Sequence, residues 1–248
     1  MQKPLISIIT VVFNSVSLIE QTIQNIINQS YSHFEFIVID GGSTDGTLSI
    51  IEKYKEDITH LISEKDTGIY NAMNKGVKLS TAHYCLFLNS GDLLASTDTL
   101  SIISKDLENG SNDIVYGDVI TLKSNGEKFL KLAELPCNKH RMYFCHQSAF
   151  IKTKCLRKFP YDEKYKMSAD FKFFKTCYLN NLKFKYVNIP VAIYNLYGIS
   201  NLRRIEGLKE NIKIIMEADK GFERVRLIFR ILPSYTAKNI SNLFKPVK

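Results

Sequence analysis

No stretch of this chain is apolar for the roughly 18–20 residues needed to cross a bilayer. The longest candidate, Leu5–Phe13, is already interrupted by Ser7 and Thr10. Met-Gln-Lys-Pro precedes that run and no small-residue cleavage site follows it, so the segment reads as a strand entering a loop rather than as a signal peptide. The five cysteines, Cys85, Cys137, Cys145, Cys155 and Cys177, are odd in number and form no CxxC pair. They read as reduced thiols of a cytosolic protein, not as a disulfide framework. Twelve Gly and six Pro in 248 residues, with 45% hydrophobic and 23% charged residues, exclude collagen-like, fibrous and disordered classes. There is no internal repeat, no low-complexity segment and no Pro/Ser-rich linker. Two common nucleotide-binding signatures are missing as well. The loop after the first strand, Phe13-Asn14-Ser15-Val16, carries no glycine, which removes the GxGxxG dinucleotide fingerprint, and no GxxxxGK[ST] loop exists. HExxH and GxSxG patterns are likewise absent.

What is present is a chain long enough to bury well over half of its surface. Its net charge of +8 is unevenly spread. Residues 1–125 carry a balance of −7 and residues 126–248 one of +15. An acidic first half suits a metal, and a basic second half suits an anionic partner, whether nucleic acid, anionic lipid or a phosphorylated small molecule.

The first half alternates strands and helices. Leu5–Phe13 is β-rich and, apart from Ser7 and Thr10, continuously apolar, as expected of a strand buried on both faces. Leu18, Ile19, Thr22, Ile23, Ile26 and Ile27 then recur at helical spacing to about Gln29. Phe34–Ile39, His60–Ser63 and Tyr84–Leu88 read as strands, with helices after Thr44 or Ser43 (either able to cap) and over Ile69–Leu79. This pattern predicts an α/β fold with a parallel sheet and ligands at the carboxyl ends of its strands. Later, Asp113–Leu122 and Glu127–Leu132 read as a hairpin and Asp170–Leu179 as a helix. Phe184–Tyr194 reads as one or two strands broken at Pro190, followed by a helix over Arg203–Ala218 and a basic amphipathic tail over 221–244.

Three acidic loops follow predicted strands: Asp40-Gly-Gly-Ser-Thr-Asp45-Gly, Glu64-Lys-Asp66-Thr-Gly68 and Asn89-Ser-Gly-Asp92. Each alone is ordinary turn chemistry. Together, at one edge of a parallel sheet, they converge on one crevice, and carboxylate oxygens there suit Mg2+ or Mn2+ bridging a diphosphate.

Ile6–Asn14, Gln29, Phe36–Thr47, Asp66–Gly76 and Leu86–Asp92 resemble the inverting family-2 glycosyltransferases of GT-A fold. The runs Asp-Gly-Gly-Ser-Thr-Asp-Gly-Thr, Asp-Thr-Gly-Ile-Tyr-Asn-Ala-Met-Asn-Lys-Gly and Leu-Asn-Ser-Gly-Asp are similar to the colanic-acid, capsule and O-antigen branch. The resemblance implies a mostly parallel central sheet flanked by helices. It implies one domain over 1–220, with a nucleotide-sugar-binding half (1–100) and a less regular acceptor-side half (101–220), and a tail over 221–248. It implies a nucleotide-sugar donor, most often UDP-linked, held by the loop from Thr10 and Val11 to Phe13 and Asn14, by Asp40 and Asp66, and by Asn89 and Ser90. Gly41 stands where many relatives carry a second Asp, and Asp45 is expected to cap the next helix. Asp92 is the one carboxylate of the loop matching the family's metal motif, so it is expected to hold Mn2+ or Mg2+, with Asn89 as a weaker ligand.

By the same resemblance Asp170, in Met167-Ser-Ala-Asp170-Phe, is the base that takes the acceptor proton, a role compatible with capping its helix. Asp162 and Glu163 are the next candidates. His146 and Gln147 lie on the acceptor side, His146 within reach of the metal, and Gly198-Ile-Ser200-Asn201 with Arg203 and Arg204 could close over the diphosphate. The implied acceptor is a polyprenyl-diphosphate-linked glycan of a bacterial surface polysaccharide. The tail, with Arg224, Arg226, Arg230, Lys238, Lys245 and Lys248 against Glu223, reads as a peripheral contact on the cytoplasmic face of the inner membrane. A processive polymerase is disfavoured, because its Gln-x-x-Arg-Trp element is impossible in a chain without tryptophan. Two alternatives stay open on sequence alone. One is another nucleotide-sugar enzyme such as a nucleotidyltransferase, which would need a basic Gly-rich loop. The other is a nucleic-acid-binding module, for which the basic half supplies no recognised motif.

Overall fold

A computed structural model describes residues 4–123, 125–195 and 203–243. Its elements in chain order begin with β1 (Ile6–Val12), α1 (Ile19–Ile27), β2 (Phe34–Asp40), α2 (Thr47–Glu52), β3 (His60–Ser63), α3 (Ile69–Leu79) and β4 (Tyr84–Phe87). There follow β5 (Leu93–Leu94), α4 (Thr99–Leu107), β6 (Ile114–Leu122), β7 (Lys128–Lys131), β8 (Ala149–Lys152) and α5 (Thr153–Lys158). The last are α6 (Ala169–Leu179), β9 (Phe184–Asn195), α7 (Arg204–Ala218) and α8 (Gly221–Leu243).

Among the described residues the strands form one sheet in the order β3-β2-β1-β4-β8-β6-β9-β5, with β7 paired to β6. β3, β2, β1 and β4 run parallel, as the alternating pattern predicts. The sheet is not parallel throughout: β8 enters antiparallel between β4 and β6. That reversal brings the chain preceding β8 to the edge where β4 ends. Alternate residues of each strand face opposite sides. Ile9, Ile37, Phe87 and Ile151 pack with α3, α5 and α6, whereas Ile8, Phe36, Leu86 and Phe150 pack with α1 and α4. Both faces are therefore largely apolar, which explains why β1 and β4 read as near-continuous hydrophobic runs.

Several expectations change in detail. The helix after Asp40 starts at Thr47, not directly after Ser43 or Thr44. Asp45 holds its start by accepting Thr47 N–H (3.0 Å) and Thr47 Oγ1 (2.5 Å). Pro190 does not break β9: it lies opposite Asp118, where the β6–β9 register shifts, and an irregularity there absorbs its missing N–H. Helix α4 has no counterpart in the sequence reading, although Leu100, Ile103 and Leu107 are spaced to bury one face.

The basic tail is helical and packs inward as well. Leu227 and Ile231 bury against Ile215 of α7. Next to it the ion pair of Lys175 on α6 with Asp219 (2.7 Å), both essentially buried, anchors the junction of α7 and α8. No described helix is long and apolar enough to cross a membrane.

Gly76 sets how closely α3 approaches the sheet, since a Cβ there would lie 2.5 Å from Ile9 Cγ2. A helix-interior Gly→Ala change ordinarily gains about 1 kcal/mol. Here overpacking against buried Ile9 should win, and Gly76→Ala is expected to lose about 1–2 kcal/mol in urea denaturation. A gain would show that α3 can move off β1 freely.

Candidate active site

Parallel strands end at one edge, and the site is built there from the loops after β1, β2, β3 and β4. Thr10 and Val11 are not in the first loop, as expected from sequence, but buried inside β1. Thr10 Oγ1 donates to the Leu88 carbonyl at 2.7 Å and ties β1 to the end of β4. The loop proper begins at Phe13. Asn14 follows in left-handed conformation (φ 46°), which Asn tolerates better than most residues. Its N–H donates to Ser43 Oγ (2.8 Å) and its Oδ1 accepts from Thr44 N–H (2.9 Å). Asp40 is buried and accepts from Ser43 N–H, Ser43 Oγ and Ser63 Oγ, so its carboxylate shapes the loops after β2 and β3. Ser90 Oγ lies 2.8 Å from Ser15 Oγ and joins the loop after β4 to the same knot.

At the mouth of this knot Phe13 is 62% exposed. A Cβ on Gly41 would come within 2.5 Å of Asp66 Oδ2 and 3.3 Å of the Phe13 ring. The missing side chain at position 41 is therefore what admits the Asp66 carboxylate beside Phe13. Asp66 is held in place there by Gly68 N–H, which donates to its Oδ1 at 2.9 Å.

Deeper in, a second cluster forms because β8 runs antiparallel to β4. The turn His146–Ser148 that opens β8 stands beside the loop that closes β4. His146 lies in this turn, and both its ring nitrogens are engaged. Nδ1 faces Asp170 Oδ2 at 3.3 Å, and Nε2 faces Asn89 Nδ2 at 3.4 Å. With the proton on Nδ1, His146 donates to Asp170 and accepts from Asn89. The Asn89 amide then turns its Oδ1 inward, where it is buried without a partner. Gln147 donates from Nε2 to Asp92 Oδ2 at 3.2 Å, so its amide is joined to the loop after β4.

Two carboxylates thus flank His146 and sit in opposite environments. Asp92 is buried, and loss of solvent pushes its carboxyl up to about 6 despite the attraction of His146 and the bond from Gln147. Burial also works to raise Asp170, but His146, the Phe171 N–H (2.8 Å) and the Tyr70 hydroxyl (2.9 Å) outweigh it and hold the carboxyl below its usual value. Asp170 stays ionised at neutral pH. Burial and that same carboxylate keep Tyr70 protonated. Asp170 lies inside the first turn of α6, one residue beyond the helix start, and Ser168 holds the N-cap position instead.

Tyr70 was not singled out from sequence. It belongs to the Asp66–Gly76 run, whose other polar members fasten the segment ahead of α6. Asn74 donates to the Tyr161 carbonyl and Glu163, and Asn71 donates to Glu163, each within 3.0 Å. Glu163 is thereby committed, and Asp162 is paired with Lys172 (2.7 Å). Neither reserve carboxylate contacts His146. Arg203 is not drawn into the cluster either: it is half exposed and engaged by Glu206. The expected closing segment, Gly198 to Asn201, lies outside the described residues.

A family model described as "Glycosyl transferase family 2" matches residues 7–166. The chain belongs to this family. A PGL/p-HBAD biosynthesis glycosyltransferase of Mycobacterium tuberculosis is 34% identical over 204 residues, covering 80% of this chain and 79% of that one. An uncharacterized glycosyltransferase of Methanocaldococcus jannaschii is 28% identical over 224 residues, covering 84% and 77%. Among solved structures, the mannosyltransferase PcManGT of Pyrobaculum calidifontis, in complex with GDP-Man and Mn2+, matches with a TM-score of 0.71 at 17% identity, over 99% of this chain and 77% of that one. TarS of S. aureus in complex with UDP matches with a TM-score of 0.66 at 20% identity, over 96% and 72%. The fold is that of the GT-A glycosyltransferases, and the protein is a family-2 glycosyltransferase.

The Asp92 environment has a consequence for stability. A carboxyl whose folded pKa exceeds its unfolded value binds more protons in the native state between about pH 4 and 6, so stability falls as pH rises through that window. In EDTA-treated protein at pH 7.5, Asp92→Asn should stabilise by about 1–3 kcal/mol, the cost of about two pKa units at 1.36 kcal/mol each being an upper bound. The advantage should vanish near pH 4. Urea denaturation at the two pH values checks this, and equal stability at pH 7.5 would mean that Asp92 is not desolvated.

Proposed function

We propose that the protein transfers one sugar, with inversion at the anomeric carbon, from a nucleoside-diphosphate sugar to a hydroxyl of a lipid-linked glycan. The observation that carries this reading is the chain Tyr70–Asp170–His146–Asn89, with Asp92 beside it. It offers an ionised carboxylate and, across one histidine, a second carboxylate in a desolvated pocket at the strand edge. In the reaction the acceptor hydroxyl oxygen bonds to the anomeric carbon as the carbon–oxygen bond to the diphosphate breaks. Asp170 receives the hydroxyl proton and the nucleoside diphosphate leaves with the bonding electrons. Tyr70, Phe171 N–H and His146 hold Asp170 so that it meets the hydroxyl without rearranging.

Asp92 and the unpartnered Asn89 Oδ1 fit a hard divalent cation such as Mn2+ or Mg2+. Such an ion would offset the charge developing on the leaving diphosphate. The described residues contain no group of three His, Cys, Asp or Glu side chains able to hold a metal. The donor's own phosphates and water would therefore complete its coordination. For the base of the donor, Phe13 provides an exposed ring and Asp66 a carboxylate next to it, a pairing suited to uracil, which offers one ring N–H. The TarS structure contains UDP and the mannosyltransferase structure GDP-Man, so relatives of this fold use more than one base.

Two surfaces support a lipid-linked acceptor. Leu130, Leu132 and Leu135 are exposed beyond β6, and Lys131 of the same stretch reaches Cys145 (3.6 Å), next to His146. On α8, Phe222, Val225, Phe229 and Leu232 form an exposed apolar stripe opposite Leu227 and Ile231, with Arg226 and Arg230 beside it. This stripe suits the anionic face of a membrane.

Asp170→Asn tests the base. It should lower turnover by ~10²–10⁴ while leaving UDP affinity within about twofold. Because three donors converge on the carboxylate, the amide loses at least one bond and should also cost about 1 kcal/mol of stability. Turnover within threefold of wild type would remove Asp170 from the chemistry. For the membrane contact, Phe222→Ser with Phe229→Ser is a cleaner test than deleting the tail, which would bare Ile215. The double variant should keep wild-type stability and lose flotation with phosphatidylglycerol vesicles. Undiminished flotation would assign the contact elsewhere.

A further inference from the structure

The segment that delivers Asp170 is gripped from behind by a helix that no motif marks. Glu210, in the middle of α7, accepts three successive backbone N–H groups. Lys166 N–H donates to one carboxylate oxygen at 2.8 Å, and Met167 N–H (2.8 Å) and Ser168 N–H (2.9 Å) donate to the other. One turn earlier on the same helix, the Gly207 carbonyl accepts from Ser168 Oγ at 3.2 Å. Two turns later Glu217 pairs with Lys164 (3.0 Å) and Lys172 (3.1 Å). Residues seven apart share a helix face, so Glu210 and Glu217 hold the stretch from Lys164 to Lys172 along one side of α7.

We infer that Glu210 is the positioning residue for the Asp170 carboxylate. The argument rests on the proposed role of Asp170 and concerns the backbone that carries it. Ser168 is the N-cap of α6 and Asp170 its second helical residue. Adjacent N–H groups in an irregular segment have no regular partners of their own. A single carboxylate satisfies all three only in one arrangement of the backbone, and that arrangement fixes where α6 begins and where Asp170 points. Its negative charge also lies just ahead of the α6 N-terminus, where the helix dipole favours it. Tyr70 and His146 then meet a carboxylate whose main chain is already set. Because Glu210 touches neither His146 nor Asp92, its loss should disturb the base and spare the donor site.

The test compares Glu210→Gln, Asp170→Asn and the double variant. UDP release is followed from whichever UDP-sugar the wild type consumes, UDP affinity with Mn2+ is measured by calorimetry, and amide hydrogen exchange is followed over residues 166–171. A glutamine side chain has one acceptor oxygen for three donors. Glu210→Gln should therefore lower kcat at least tenfold, leave donor KM and UDP affinity within twofold, and speed exchange at 166–168. In the Asp170→Asn background it should cost less than a further twofold, since a residue acting through Asp170 has nothing left to position. A kcat within twofold of wild type, or a full additional loss in the Asp170→Asn background, overturns the proposal while leaving the base assignment intact. Wild-type turnover in Asp170→Asn itself overturns both. Should Glu210→Gln fail to bind UDP through misfolding, Glu210→Asp carries the same comparison, with its charge kept and its reach shortened by one methylene.

Discussion

A carboxylate withdrawn from water without partners is among the costliest groups a fold can contain, and the partly buried Asp170 has three. Its donors come from separate parts of the chain: Tyr70 from α3, His146 from the turn before β8, and Phe171 N–H from α6 itself. Losing any one would leave the partly desolvated charge with fewer donors to compensate it. The positions of α3, β8 and α6 relative to one another are therefore tied to a single side chain. The antiparallel entry of β8 between β4 and β6 makes this possible, because it returns His146 to the edge where Asn89 and Asp92 end the preceding strand.

The two acids that flank His146 illustrate how environment divides labour between identical groups. Asp170 receives enough hydrogen bonds to remain ionised at neutral pH. Asp92 receives one from Gln147, and desolvation raises its carboxyl to about 6. The first arrangement suits a proton acceptor that is ready in the resting protein. The second is a stability cost that a bound cation would relieve, and the unpartnered Asn89 Oδ1 beside it points the same way. A donor arriving with its own divalent ion would thus settle two groups that the protein alone leaves unsatisfied.

Loop chemistry at the nucleotide end follows a different logic. Asp40, Asn14, Ser43, Ser63 and Ser90 spend their polar atoms on one another or on neighbouring serines and backbone, so they form a stiff rim. What that rim presents outward is Phe13 and, through the gap left by Gly41, Asp66. An absent side chain at one position and a carboxylate from another loop together make a surface that neither loop makes alone.

Local pattern determined much of this protein. Largely apolar runs marked β1, β2 and β4, because strands buried on both faces show no polar side to water. Helical spacing marked α1 and α3, and the acidic loops at strand ends marked the edge that holds Asp40, Asp66 and Asp92. The Asn89-Ser-Gly-Asp92 and Met167-Ser-Ala-Asp170 segments were legible as candidates by resemblance. The tertiary structure alone decided the rest. It placed Thr10 and Val11 inside the sheet, joined Gln147 to Asp92, and engaged Arg203 with its neighbour Glu206. It also brought in Tyr70, 100 residues before Asp170 along the chain, and Glu210, 40 residues after it. A periodicity reports which face of an element is buried. It carries no information about which distant donor a buried carboxylate will meet, because that depends on strand order and on the direction in which β8 enters the sheet.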